Sequence, residues 1–276
     1  MDIIIEDFIK EDRGKEDVTT DAIVPEAHSS RAVIAAKANG VLAGHRYAKL
    51  VFGLLDKNIQ YRELKHDGDV IVRGDLLVDI TGKSRAILTG ERVALNILQR
   101  LSGIATLTKS FVDAVAGTGA TILDTRKTAP GLREMEKYAV TMGGGSNHRR
   151  DLSEMALIKE NHIAIAGSIQ EAVKRVRSQS RVPIEVEVKN MQELREALAT
   201  GVDRIMLDNW DIASIRDAVS LVNKRIPLEA SGNMTIEKAR EVAQTGIDFI
   251  SVGAITHSFT SLDMTLLQEG LKDRTQ

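Results

Sequence analysis

Six short apolar segments constrain this chain most, because each runs straight into residues able to do chemistry. Thr121-Ile122-Leu123-Asp124 leads into Thr125-Arg126-Lys127-Thr128, and Met155-Ala156-Leu157-Ile158 into Lys159-Glu160-Asn161-His162. Pro183-Ile184-Glu185-Val186 ends in Glu187, and Arg204-Ile205-Met206-Leu207 in Asp208-Asn209. Pro227-Leu228-Glu229-Ala230 ends in Ser231-Gly232, and Phe249-Ile250-Ser251-Val252 in Gly253. Apolar runs separated by helical stretches are expected to be parallel strands covered on both faces. Polar groups at their carboxyl ends fit the mouth of an α/β barrel. Along the chain cations come first, carboxylates next and glycines last, an order that suits an anionic substrate, a metal and a phosphate.

The helical stretches between these runs are expected over Ser168 to Arg177, Met191 to Ala199, Ile212 to Val222 and Ile236 to Gln244. The spacing of about 20 to 25 residues suits one βα unit per strand. With six strands identified, a full eight-stranded barrel over residues 111–276 is not secured by the spacing. Residues 1–110 read differently. Arg31 to Ala38 and Leu76 to Ile80 read as strands, Tyr47 to Leu55 as a helix, and Asp67-Gly68 and Arg73-Gly74-Asp75 as turns. Strands with few helices suit an α+β layer. A long helix is expected to start at Thr89 or Gly90 and carry Val93, Leu95, Leu98, Leu101, Ile104 and Leu107 on its apolar side. The tail from Leu262 to Lys272 reads as a helix returning to the first domain.

Composition narrows the function. With 276 residues, 43% of them hydrophobic, the chain can bury real cores. A net charge of −2 gives no global field for nucleic acid, and aromatics at 3% leave few stacking platforms. The absence of cysteine removes disulfides, thiolate metal sites and cysteine nucleophiles, and is compatible with the cytoplasm. No apolar run approaches the roughly 20 residues that span a bilayer, and the start lacks a secretory pattern.

Arg126 and Lys127 at a strand end can grip a carboxylate or pyrophosphate, one with a planar fork and one as a point charge. A solvated basic turn explains them equally well. Gly143-Gly144-Gly145 is expected to offer backbone N–H groups to a ligand, with His148 and Arg149 adding donors. Lys159 ends a strand where burial without an anion is costly. His162 either orders Lys159 or caps the loop. Glu187 and Asp208 carry hard oxygens suited to Mg²⁺, although Asp208-Asn209 also suits a helix cap, and one acid of Glu185-Val186-Glu187 could face a neighbouring cation. Ser231, Gly232, Asn233 and Gly253 end the last two strands, where barrels bind phosphate.

Together these segments resemble the quinolinate phosphoribosyltransferases, also called carboxylating nicotinate-nucleotide pyrophosphorylases. The resemblance spans nearly the whole chain. It is most specific in Asp124-Thr125-Arg126-Lys127-Thr128, Lys137-Tyr138-Ala139-Val140, Gly143 through Arg149, Lys159-Glu160-Asn161-His162 and Glu185-Val186-Glu187-Val188, and it includes Gly90-Glu91-Arg92-Val93. It implies an N-terminal open α/β sandwich and a C-terminal α/β barrel with fewer than eight regular strands. It implies the conversion of quinolinate and phosphoribosyl pyrophosphate to nicotinate mononucleotide, pyrophosphate and carbon dioxide in NAD biosynthesis. Carried over residue by residue, it implies quinolinate binding by Arg126, His148, Arg149 and Lys159, with Arg92 supplied in trans within a homodimer or a higher oligomer. It implies catalysis by Lys127, Glu187 and Asp208, with the two acids near Mg²⁺, and 5′-phosphate binding by Ser231, Gly232 and Gly253. The chain departs from the family at Ala129, where Thr is common, and at Asn233, where a second Gly is common.

Overall fold

The computed structural model describes residues 2–268 and divides into two compact units, one up to Leu107 and again from Phe259, the other from Thr108 to Ser258. The first unit contains β1 (Ser29–Ala36), β2 (Gly40–Val41), β3 (Gln60–Glu63), β4 (Val70–Ile71) and β5 (Leu76–Lys83). The second contains β6 (Thr121–Leu123), β7 (Ala156–Ile158), β8 (Ile184–Val188), β9 (Arg204–Asp208), β10 (Leu228–Ser231) and β11 (Phe249–Ser251), and β12 (Met264–Gln268) belongs to the first unit again.

In the first unit a four-stranded sheet runs in the order β12-β1-β5-β3, with antiparallel pairing throughout. Here two expectations are corrected. The segment expected to be a helix from Leu262 is a strand over Met264–Gln268, and residues 269–272 of that expectation lie outside the described residues. Met264 and Leu266 are buried while Leu267 is 45% exposed, so alternation with period two, completed by pairing to β1, wins over local helix propensity. The long helix spans Ser84–Ala114 and begins before Thr89. Gly90 lies within it, and a Cβ there would meet Phe52 and Leu55 side-chain carbons at 3.0 Å. The glycine permits close packing and does not mark a helix start.

The second unit is an incomplete α/β barrel. Its six strands run β6-β11-β10-β9-β8-β7, with parallel pairing throughout. The edges of this sheet, β6 and β7, are consecutive in the chain. Next to β6 a single parallel bridge joins Leu123 to Ser146. The connecting helices Ile169–Gln179, Met191–Leu198, Ile212–Val222 and Ile236–Ala243 are each started by a side chain that accepts a backbone N–H: Ser168, Asn190, Asp211 and Thr235.

Period two along the strands sorts the side chains. On β8, Ile184, Val186 and Val188 are wholly buried, and burial of such side chains contributes about 1.5–3 kcal/mol each. Glu185 and Glu187, of opposite parity, share the other face, so both acids of the Glu-Val-Glu run point the same way. Arg204, Met206 and Asp208 on β9, and Glu229 and Ser231 on β10, follow the same rule, with Glu187 in register with Met206 and Ser231 with Asp208. Among the described residues no helix is long and apolar enough to cross a membrane.

Candidate active site

The carboxyl ends of the strands surround a cleft of about 840 Å³ lined by residues from all six strand-end segments. Arg126, Lys127, His148, Arg149, Lys159, Glu187, Asp208, Ser231, Gly232, Asn233 and Gly253 line it, whereas Arg92, His162 and the run Gly143-Gly144-Gly145 do not. Arg92 lies in the first unit, exposed on the long helix Ser84–Ala114.

The cations are held in different ways. Arg126 is half-buried, and its Nε is buried with no hydrogen-bond partner. Arg149 is 9% exposed and donates from Nη1 to the Met155 carbonyl at 2.8 Å. Burial, and next the charge of Arg126, push the Arg149 guanidinium below its ordinary value. Two like charges are therefore gathered beside an unsatisfied donor, an arrangement that an anion relieves. Lys159 is half exposed and its Nζ lies 2.7 Å from Glu187 Oε2. Lys127 is exposed, and the Thr256 hydroxyl donates to its carbonyl at 2.8 Å. A Cβ on Gly253 would sit 3.0 Å from Lys127 Cδ, so this glycine gives the lysine stem room to lie over the last strand end.

His148 differs from the cation expected of it. It is 8% exposed, its Nδ1 accepts the Arg149 backbone N–H at 2.7 Å, and its Nε2 faces Glu185 at 3.0 Å and Glu229 at 3.5 Å. Nε2 therefore carries the ring proton, and burial lowers the pKa, which favours the neutral ring. Beneath the cations lies an acid pair that sequence reasoning missed. Glu185 and Glu229 are wholly buried, and burial pushes both up to about 7. Glu229 also accepts from Arg204 Nη1 at 2.9 Å. Glu229 interrupts an apolar strand in the sequence, and an inward-facing charge at even spacing from Ser231 was the signal available there.

One expected role changes and two open alternatives are decided. The run Gly143-Gly144-Gly145 does not present free amides, since its N–H groups bond to the carbonyls of Ala139, Thr141 and Val140. A Cβ on Gly145 would lie 2.8 Å from Thr108 Cγ2, so the run ends the helix Arg133–Met142 and packs closely. His162 caps: its Nδ1 accepts the Lys159 N–H at 3.0 Å. Asp208-Asn209 caps no helix, because Asp211 starts the next one.

The residues expected to bind phosphate sit on tight backbone. Gly232 has φ +103°, and a Cβ there would fall 2.1 Å from Asn209 Oδ1. Asn233 has φ 42°, the left-handed region that Asn tolerates better than most residues, which accounts for Asn where glycine was expected. Lys238 Nζ donates to the Gly232 carbonyl at 3.1 Å, and Thr235 caps the helix Ile236–Ala243.

Two sets of groups could receive a metal. The ligand atoms of His148, Glu185 and Glu229 lie within 4.8 Å of one another. Arg204 already bonds Glu229, and the raised carboxyl values favour protons there. Glu187 and Asp208 face the cleft from adjacent strands and offer only hard oxygens; Asp208 is held by the Asn209 amide at 2.9 Å. That donor set fits Mg²⁺, which takes one or two carboxylates and draws its other ligands from water and phosphate.

Comparison with known proteins gives this geometry a family. Models of the quinolinate phosphoribosyl transferase N-terminal and C-terminal domains match residues 17–102 and 104–267. A probable nicotinate-nucleotide pyrophosphorylase [carboxylating] of Bacillus subtilis (strain 168) is 44% identical over 265 residues, 95% of this chain and 91% of that protein. Quinolinate phosphoribosyltransferase [decarboxylating] 2b, mitochondrial, of Nicotiana tabacum is 41% identical over 94% of this chain and 79% of its own. The crystal structure of NadC from Streptococcus pyogenes superposes with a TM-score of 0.93 at 41% identity, covering 96% of this chain and 94% of that one. With both domains matched and identity sustained along almost its full length, the chain belongs to the quinolinate phosphoribosyl transferase family.

Proposed function

We propose that this protein transfers the phosphoribosyl group of phosphoribosyl pyrophosphate to quinolinate with loss of carbon dioxide, giving nicotinate mononucleotide and pyrophosphate for NAD biosynthesis. The observation that carries this reading is the Arg126–Arg149 pair, gathered at the cleft with a buried donor left unsatisfied. A planar diacid supplies two carboxylates to such a pair, and Lys159 adds a third cation at the rim.

The chain's residues divide the work by charge. Arg126, Arg149 and Lys159 bind the diacid and orient its ring nitrogen toward the sugar. His148, neutral and bonded at both nitrogens, backs Arg149 as a positioning group. Ser231, Gly232, Asn233 and Gly253 hold the 5′-phosphate. Lys127 faces the leaving pyrophosphate and stabilises its growing negative charge. Glu187 and Asp208 order the ribose hydroxyls and favour the positive charge that develops on the sugar. They would hold Mg²⁺, which supplies charge neutralisation to the pyrophosphate when bound. The ring nitrogen forms its bond to the anomeric carbon as the carbon–pyrophosphate bond breaks. The quaternised ring then accepts the electron pair released with carbon dioxide, and the ring carbon takes up one proton. Holding both anions in attacking geometry is a large part of the rate gain.

Arg92 belongs to the same reading as a substrate contact given by a second subunit of a homodimer, and the cytoplasm as its compartment. The test is direct: purified protein with quinolinate, phosphoribosyl pyrophosphate and Mg²⁺, carbon dioxide release measured, and nicotinate run in parallel. Release with quinolinate, lost on chelation of Mg²⁺, is expected. Turnover of nicotinate alone would move the chain to a non-decarboxylating chemistry.

A further inference from the structure

Asp124 and Lys137 stand outside every role given above. Asp124 follows β6 and is wholly buried; Lys137 is 2% exposed on the helix Arg133–Met142. Their Nζ and Oδ1 lie 2.5 Å apart. The same Oδ1 accepts the His148 backbone N–H at 2.8 Å, and the same Nζ donates to the His148 carbonyl at 2.9 Å. Both peptide groups of one residue are thus gripped by the opposite ends of one ion pair. Exchanging the amide oxygen and nitrogen of Asn147, the orientation its all-acceptor surroundings require, makes it donate to Asp124 Oδ2 at 2.7 Å and to the Lys137 carbonyl at 3.0 Å.

The held segment lies at the edge of the sheet. Ser146 N–H bonds to the Ile122 carbonyl at 2.9 Å and Asp124 N–H to the Ser146 carbonyl at 3.2 Å, which lays the segment along β6. On its far side Arg149 reaches Met155, the residue before β7. Arg126 stands two residues beyond Asp124, and Arg149 one beyond His148. Both guanidiniums line the cleft, and burial first and the charge of Arg126 second lower the Arg149 value, so keeping the two together works against like-charge repulsion. A buried Lys–Asp pair contributes little net stability compared with packed apolar groups, but it fixes geometry sharply.

We infer that the Asp124–Lys137 pair is a positioning device: it clamps the His148 peptide groups so that Arg149 stays beside Arg126, at the spacing a planar dicarboxylate needs. This rests on the quinolinate reading above. Neither residue touches substrate in this account. Both act through the segment that carries Arg149.

Two variants test it, with quinolinate affinity measured by calorimetry and KM measured for each substrate. The double variant Asp124→Asn/Lys137→Met removes both charges together. Asn147→Ala removes only the outer strut at an exposed residue and leaves the ion pair, so its fold is expected to survive. A displacement of a guanidinium by a fraction of an ångström is expected to weaken quinolinate binding about tenfold in the double variant and about threefold in Asn147→Ala. The KM for phosphoribosyl pyrophosphate should change less than quinolinate affinity, because its phosphate loops follow β10 and β11 and only Lys127 shares the β6 end. A merely cohesive role would lower the melting temperature and leave quinolinate affinity unchanged. Unchanged quinolinate affinity in Asn147→Ala, together with an unchanged or unfolded double variant, overturns the clamp while the assigned reaction stands. Wild-type protein that neither binds nor converts quinolinate overturns both.

Discussion

Glu229→Gln tests the floor of the cleft through the pH dependence of stability. Glu229 is wholly buried and faces Arg204 on β9, His148, Glu185 on β8 and Ser251 on β11. Burial first, and the neighbouring Glu185 second, raise its carboxyl from 4.5 to about 7. Below the lower value the carboxyl is protonated in folded and unfolded chains alike and contributes no pH dependence. Between the two values the unfolded chain has released its proton while the folded chain keeps it, so stability falls as pH rises. Above about pH 7 the loss is complete. At 1.36 kcal/mol per unit, this rise corresponds to about 3 kcal/mol for a lone group. The proton is shared with Glu185, so about 1–3 kcal/mol is the expected share of Glu229. Glutamine is nearly isosteric with the protonated acid, keeps an acceptor for Arg204 and titrates nowhere. The variant should therefore match wild type or fall slightly below it near pH 5, then gain on it by that amount at pH 8. In thermal melts this is a relative gain of roughly 2–4 °C per kcal/mol. A difference between variant and wild type that stays constant from pH 5 to pH 8 would show Glu229 ionised throughout and refute the reasoning.

Lys127→Ala is expected to lower turnover by about 10² or more with little change in melting temperature, since the side chain is exposed and is the one proposed to stabilise the leaving group; an unchanged rate removes that role. At Asn233, whose φ is 42°, glycine should be tolerated within about 0.5 kcal/mol while valine should cost about 1–2 kcal/mol in denaturant unfolding; equal stability of the two variants would mean that the loop relaxes. If Arg92 acts across a dimer, mixing inactive Arg92→Ala and Lys127→Ala subunits should restore roughly a quarter of wild-type activity, through mixed dimers with one intact site. A mixture as inactive as its parts would place Arg92 outside the partner's cleft.

What the sequence made legible, and what it hid, divides along a physical line. The strand ends were legible because a parallel strand buried on both faces must be nearly all apolar, so its polar residues can gather only where it stops. That logic located Arg126, Lys159, Glu187, Asp208 and Ser231 before any coordinates. Pairing was not legible, because a partner is chosen in three dimensions. The sequence could not tell that Lys159 meets Glu187, that His162 turns back to its own helix start, or that Met264–Gln268 joins β1 from more than two hundred residues away. Glycine was ambiguous for a related reason. Gly143-Gly144-Gly145 and Gly232 read alike as open backbone, yet the first run uses its amides internally and only Gly232 lines the cleft.

The deepest layer was hidden by its own chemistry. A glutamate inside an apolar strand looks like a defect or a partner for some neighbouring cation, and Glu185 and Glu229 each invite that view. Burial changes what they are. With both carboxyls raised to about 7, the floor of the cleft holds protons near neutrality and carries less negative charge than its composition implies. Two ionised carboxylates, one of them close enough to Arg149 for their charges to interact, would offset much of the attraction the cleft's cations exert on an anion, because the low dielectric that strengthens one interaction strengthens the other equally. A protonated floor leaves the field of the rim directed at the substrate. An anion site of the proposed kind therefore depends as much on suppressing negative charge below as on gathering positive charge above, and only the first of these is invisible in a count of residues.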